Sequence, residues 1–260
     1  MDPDIRYRDE GSGPAILVLH PGMDDGSRWG AVAARLTATY RVVRPHRRQY
    51  RLDLHAPDGG FTMAQEAADV AELARTLGTP LLLVGHSSGG VAALEALVAT
   101  PELFTGALLF DPAVTLRADP WDEPLARSRA AVAEGKPGRA MRIFSREVLR
   151  LPTPVAWLGG AYVALRKPYR ELVPRQIDDM KAIHELGVRL GAYAAITTPV
   201  LLLRGERSTA LARERDEALA AVLPNADQAV LAGLPHDANR TAPGAVAHAI
   251  DGFYHRLLDR

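Results

Sequence analysis

The stretch Leu81-Leu-Leu-Val-Gly-His-Ser-Ser-Gly-Gly90 reads as a buried strand that breaks into a sharp turn and then a helix. Leu81 to Val84 are four apolar residues in a row, the pattern of a strand covered on both faces. Gly85-His-Ser-Ser-Gly89 fits G-x-S-x-G, and Val91 to Thr100 are small and apolar residues suited to a helix. Strand, turn and helix together are the setting in which that pentapeptide carries chemistry. The turn strains the serine backbone and lifts its hydroxyl above the sheet. Gly85 and Gly89 leave room for neighbouring backbones to approach closely. The helix behind the turn points its free N–H groups at any anion that forms there. Alone, the pentapeptide is also the pattern of a plain tight turn. Two further segments bear on it, His20-Pro-Gly22 upstream and Pro235-His-Asp237 downstream.

Working outward, Ile5–Arg8 and Ala15–Leu19 read as strands. Trp29–Leu36 reads as a helix with Ser27 as its N-cap, and Arg41–Arg44 as a short strand. Thr62–Leu77 is an amphipathic helix ended by Gly78. Gly106–Phe110 is a strand running into Asp111-Pro112. From about Pro112 to Ile196 the alternation stops and four helical patterns follow, at 123–134, 139–149, 155–165 and 170–190. Prolines at 120, 124, 137, 152, 154, 168 and 174 punctuate this block. Strands at 199–204 and 226–231 and helices at 211–223 and 243–258 then restore the alternation, with Pro243 in the first turn of the last helix. The expectation is an α/β fold: a mostly parallel central sheet flanked by helices, with residues 1–115 and 191–260 forming the core and 116–190 a helical cap inserted in it. Ligands of such sheets sit beyond the carboxyl ends of the strands. The 20–27 loop, Ser87, Asp111, the 205–209 loop and the 233–237 loop all fall there.

The 260 residues suit one large domain, and 47% apolar content supports a substantial core. Lys plus Arg and Asp plus Glu both number 31, so the overall balance recruits neither nucleic acid nor an anionic membrane. With no cysteine there is no disulfide, thiol nucleophile or thiolate metal site. The charged N-terminus lacks the apolar segment of a signal peptide, and no run reaches a membrane span, so a cytoplasmic protein is the default expectation. No pair among the eight histidines has a convincing metal spacing.

Leu19-His-Pro-Gly22, Gly85-His-Ser-Ser-Gly89, the helical insertion after Asp111, Pro199-Val-Leu-Leu-Leu-Arg-Gly-Glu206 and Gly233-Leu-Pro-His236 occur in an order that resembles the α/β-hydrolase superfamily, serine-nucleophile branch with a helical cap. The resemblance covers nearly the whole chain. It implies Ser87 as nucleophile and His236 as base, with the backbone N–H of Ser88 and one from Gly22 or Met23 as oxyanion donors. His20 and His86 would be structural. The chemistry needs each part. A serine hydroxyl attacks only if an imidazole takes its proton, and the tetrahedral intermediate needs N–H donors. A third group, usually a carboxylate, holds the imidazole in the right tautomer.

The chain departs from the family at that third group. The acid usually follows the strand at 200–204, where Gly205-Glu-Arg-Ser-Thr209 has no carboxylate at the expected point. Some family members, haloalkane dehalogenases among them, place it after the preceding core strand, which corresponds to Asp111. Glu206 and the absence of any acid are the alternatives. Asp24 and Asp25 suit the N-terminus of the following helix better than a substrate contact. Five arginines in Arg41–Arg51 read as a solvated face or as a clamp for an anionic partner. The insertion offers Trp121, Phe144, Trp157, Tyr162 and Tyr169 to its own core or to a cavity. The expected activity is hydrolysis of a carboxylic ester or lactone of a small, fairly apolar molecule, without a cofactor. The alternative from another class is a small-molecule binding protein on the same fold.

Overall fold

A computed structural model describes residues 5–57, 60–78, 80–118 and 120–259. In chain order the elements are β1 (Tyr7–Glu10), β2 (Ala15–Leu19), α1 (Gly30–Leu36), β3 (Arg41–Pro45), α2 (Met63–Leu77), β4 (Leu81–His86), α3 (Ser88–Ala99) and β5 (Phe104–Phe110). The insertion follows as α4 (Asp122–Ala133), α5 (Pro137–Ile143), α6 (Thr153–Leu165) and α7 (Lys167–Leu186). The chain closes with α8 (Leu190–Tyr193), β6 (Val200–Gly205), α9 (Ala210–Val222), β7 (Ala226–Leu231), α10 (Ala238–Thr241) and α11 (Pro243–Leu258).

The strands form one sheet in the order β1-β3-β2-β4-β5-β6-β7, and only β1 runs antiparallel to its neighbour. Side chains alternate faces along a strand. Leu17, Leu83, Leu109 and Leu202 join one apolar cluster with α2 and α3. Val18, Leu82, Leu108 and Leu203 join a second with α1 and α11. A strand with apolar residues at every position is therefore covered twice, which is why Leu81–Val84 shows no polar alternation. The insertion adds its own buried side chains, Trp121, Phe144, Val173 and Ile177 among them, to the first cluster. A single bridge, Thr115 with Val188, brings its two ends together.

Several local expectations shift. The first strand starts at Tyr7, where pairing to β3 begins, rather than at Ile5. The helix after Ser87 starts at Ser88, three residues before the apolar run, because the turn itself supplies its first residues. Ser27 does not cap α1. Gly26 adopts φ 84° ahead of a short 3-10 turn at Ser27–Trp29, and α1 continues from it. Thr62 caps α2 in a reciprocal arrangement: Gln65 N–H donates to its hydroxyl, and Thr62 N–H donates to the Gln65 side chain. Pro174 lies inside α7 and does not end it. Phe144–Val148 is a wide π turn continuing α5, a feature that no periodicity signals.

Candidate active site

β4 ends at His86, and the chain turns so sharply that Ser87 adopts φ 55° and ψ −119°. That backbone conformation is costly for a residue with a Cβ. Hydrogen bonds from both flanks hold it. Ser87 N–H donates to the Phe110 carbonyl (3.0 Å), while its own carbonyl accepts from Gly90 (2.9 Å) and Ala113 (3.0 Å). A Cβ on Gly89 would stand 2.5 Å from the carbonyl oxygens of Leu19 and His20, and one on Gly85 2.7 Å from Gly90 Cα. Gly90 is a third such contact, tight against Pro112. The two glycines singled out in the sequence are thus required by close backbone approach.

His236 follows β7, and its Nδ1 lies 2.9 Å from Asp111 Oδ2. Asp111, at the end of β5, has φ 44°, a second strained non-glycine residue, and its N–H donates to the Leu203 carbonyl (3.0 Å). Its side chain is buried, whereas the His236 ring is half-exposed. The Ser208 hydroxyl donates to the same Asp111 Oδ2 (2.6 Å). Ser208 and Thr209, which stand uncharged at the expected acid position, thus have separate uses. Ser208 holds Asp111, and Thr209 caps α9 by accepting from Ala212 N–H (3.2 Å). Glu206 accepts from Gly233 N–H (2.5 Å) and fixes the turn that precedes His236. His86 packs beneath this pair, stacked on Phe110 at 4.5 Å and 4.7 Å from the His236 ring. Burial drives its pKa well down, so the ring beneath His236 is neutral.

The loop after β2 approaches the same point. Met23 adopts φ 57°. His20 is buried, and its Nε2 accepts from Arg47 N–H (3.0 Å), so Nδ1 must carry the proton it donates to the Pro21 carbonyl (2.7 Å). Burial, with Arg47 nearby, holds its pKa well below the ordinary value. Asp24 Oδ1 accepts from the N–H groups of Asp25 (2.8 Å) and Arg28 (3.4 Å), which is the helix N-terminal use expected of it.

A profile of the alpha/beta hydrolase family matches residues 16–249. The chain belongs to that family. Two known proteins resemble this hydrolase over most of their length. The 2-(acetamidomethylene)succinate hydrolase of Mesorhizobium japonicum is 24% identical, over 96% of this chain and 91% of its own. The magnesium-chelatase 30 kDa subunit of Rhodobacter capsulatus is 27% identical, over 92% and 80%. Among solved structures, an alpha/beta hydrolase from Sphaerobacter thermophilus superposes with a TM-score of 0.82 at 22% identity, covering 96% of both chains.

Arg47, Glu66, Tyr50, Gln176 and Asp179 of the hydrolase, whose meeting no motif announced, come together beside this site. Arg47 is buried and is held by two carboxylates. Its Nε donates to Glu66 Oε2 (2.8 Å) and its Nη2 to Asp179 Oδ1 (3.1 Å). Its Nη1 donates to the His20 carbonyl (3.1 Å) and to the Ser88 hydroxyl (2.8 Å), so one guanidinium touches both stretches expected to supply oxyanion donors. The Tyr50 hydroxyl donates to Asp179 Oδ2 (2.6 Å). The same hydroxyl also lies 3.1 Å from Gln176 Oε1, a second acceptor for its hydrogen. The same Oε1 stands 2.0 Å from where a Gly22 Cβ would be, so any larger residue there would have to displace the Gln176 side chain. Gln176 and Asp179 are one turn apart on α7, and this spacing is the only signal the sequence carried. The other arginines of 41–51 also meet carboxylates: Arg41 with Asp9, Arg44 with Glu10, Arg48 with Asp69 and Arg51 with Asp53. Each arginine of the segment is thus matched to a carboxylate of the same chain. Trp121 and Phe144 are buried, and Tyr169 accepts from Arg28 Nη2 (2.8 Å).

Proposed function

We propose that this hydrolase cleaves a carboxylic ester or lactone of a small, fairly apolar molecule through an acyl-enzyme on Ser87. The strained Ser87 elbow together with the His236–Asp111 hydrogen bond carries the reading. With Nδ1–H given to Asp111, His236 offers the lone pair of Nε2 to the Ser87 proton as the hydroxyl attacks the acyl carbon. The carbonyl oxygen becomes an oxyanion that Ser88 N–H and an N–H of Gly22 or Met23 stabilise. Loss of one such donor costs about 3 kcal/mol. His236 then returns the proton to the leaving alcohol, and water, activated by the same ring, releases the acid. No step calls on a cofactor or metal. Helices α4–α7 act as the cap, with Gln176 reaching down to Gly22. A fairly apolar acyl group suits a site whose nearby arginines are already matched by carboxylates.

The binding-protein reading rested on a missing acid. The Asp111–His236 contact supports the hydrolytic reading over it. Ser87→Ala should abolish turnover of p-nitrophenyl esters and labelling by a fluorophosphonate, with the far-ultraviolet circular dichroism unchanged. Parent-like turnover in the purified variant would sink the mechanism, and a parent that resists the probe would return the binding reading. A series of acyl chain lengths, from acetate upward, then ranks the substrates.

A further inference from the structure

Helix α6, Thr153–Leu165, has the sequence Thr-Pro-Val-Ala-Trp-Leu-Gly-Gly-Ala-Tyr-Val-Ala-Leu and contains no charged residue. A core helix of that composition would be buried all round. Here it packs on α5 and α7, and only Ala156, Gly160 and Val163 are buried. Leu165 is 81% exposed, Leu158 72% and Trp157 58%, with Val155 and Tyr162 about half-exposed. These five are half of all the large apolar side chains exposed among the described residues. The surface is therefore one contiguous apolar ridge, the kind of patch that isolated proteins seldom leave in water.

Charge collects around that ridge. Residues 134–171 hold eight basic side chains and three acidic ones, in a chain whose totals are equal. Lys136, Arg139, Arg142 and Arg170 border an open cleft of about 640 Å³ that also includes Trp157 and Glu171. Arg166 and Lys167 lie in the turn and first residue of α7. Glu134 pairs with Lys136 and Arg139, and Glu171 with Lys167, so the basic excess rests on the remaining arginines. Arg142 lies over the Trp157 ring at 3.8 Å, and Arg166 over Tyr162 at 5.4 Å. Aliphatic tips, ring faces and cationic rims in that order are what a helix lying in a lipid headgroup layer presents. No helix among the described residues is long and apolar enough to cross a membrane, so the contact would be peripheral.

We propose that α6 and its basic rims dock this protein on an anionic lipid surface. Charge complementarity selects that occupant. A second copy brought across a two-fold axis would set the same cationic rims against each other. A lipid surface instead pairs them with headgroup phosphates while the ridge enters the acyl boundary. The inference does not depend on the ester reading, because it uses exposed residues of α6 and its flanks and none of the candidate site residues.

The test uses the full chain and vesicles of phosphatidylcholine with or without roughly one-third phosphatidylserine. The protein should float with the anionic vesicles at low salt, leave them at about 0.5 M NaCl, and ignore neutral ones. Trp157 reports the contact directly, since Trp29 and Trp121 are buried. Its emission should shift to the blue on anionic vesicles, and Trp157→Phe should lose the shift. Leu158→Glu with Leu165→Glu, and separately Arg142→Glu with Arg166→Glu, should each weaken flotation by about tenfold or more. Both pairs should keep the parent's far-ultraviolet circular dichroism and thermal midpoint, which shows that they fold. Failure of the parent to float overturns the proposal, as does equal flotation of either pair. A blue shift that follows protein concentration without lipid assigns the ridge to a second copy and also overturns it.

Discussion

Asp111 carries two donors on one carboxylate oxygen, from His236 and from Ser208, and its other oxygen is buried without a partner. Asp111→Asn keeps the shape but removes the charge that stabilises the imidazolium, and its amide can hold the ring in the wrong tautomer. Turnover should fall by about 10³- to 10⁴-fold, the loss seen when a triad acid is amidated. Ser208→Asp in that background should recover part of the loss, because residue 208 already reaches the same spot. An Asp111→Asn enzyme as fast as its parent would reduce Asp111 to a turn residue. Behind Asp111 lies Asp216, whose carboxyl is pushed up to about 6, by burial first and by Asp111 as a lesser cause. A raised acid binds its proton more tightly in the folded protein, so stability is lost as pH rises from the ordinary 3.8 through about 6. Asp216→Asn should therefore stabilise the protein by about 1–3 kcal/mol near pH 8 and by almost nothing near pH 4. Urea midpoints at the two pH values measure the difference, and an equal gain at both would refute the assignment. Ser87 and His236 were legible as candidates because both sit in short local patterns. Asp111 was legible only through the empty place at 208–209, since a pairing across 125 residues leaves no local trace.

At the scale of elements, α7 is tied to the core through a buried cation rather than through packing alone. Arg47, Glu66 and Asp179 together bury one positive and two potentially negative groups, with Asp179 at 0% exposure. Burial raises the Glu66 pKa despite Arg47 beside it. Removing one partner of such a set leaves charge without compensation, at a cost of about 3–5 kcal/mol. Arg47→Met should lose that much in denaturant unfolding, and adding Glu66→Gln and Asp179→Asn should restore part of it. If the single variant is as stable as its parent, the network does not anchor α7. The helices were legible from apolar spacing and prolines in their first turns. The network was not, because a run of arginines in sequence says nothing about which distant carboxylates will meet them. Pro174 is tolerated inside α7, as the helical pattern across it implied, because buried contacts from Val173 to Met180 outweigh one lost hydrogen bond.

Across the whole molecule, the alternating strands and helices were enough to place every candidate residue at the carboxyl edge of one sheet. What they could not convey is that the insertion shares the buried cluster of that sheet, because the contacts join residues far apart in the chain. The order of strands has a consequence for how the protein is made. β5 pairs with β6, yet the chain between Phe110 and Val200 must be synthesised before that pairing is possible. Until then Ala107 to Phe110, buried in the finished protein, offers the ribosome-bound chain an open and wholly apolar strand edge. A chain stopped at Thr198 should accordingly pellet or be held by chaperones, while one extended through β7 and α11 should leave them. Release kinetics of arrested chains of increasing length would locate the step, and a soluble, monomeric chain ending at Thr198 would rule it out. For this fold, translation speed across the insertion sets how long that edge is exposed.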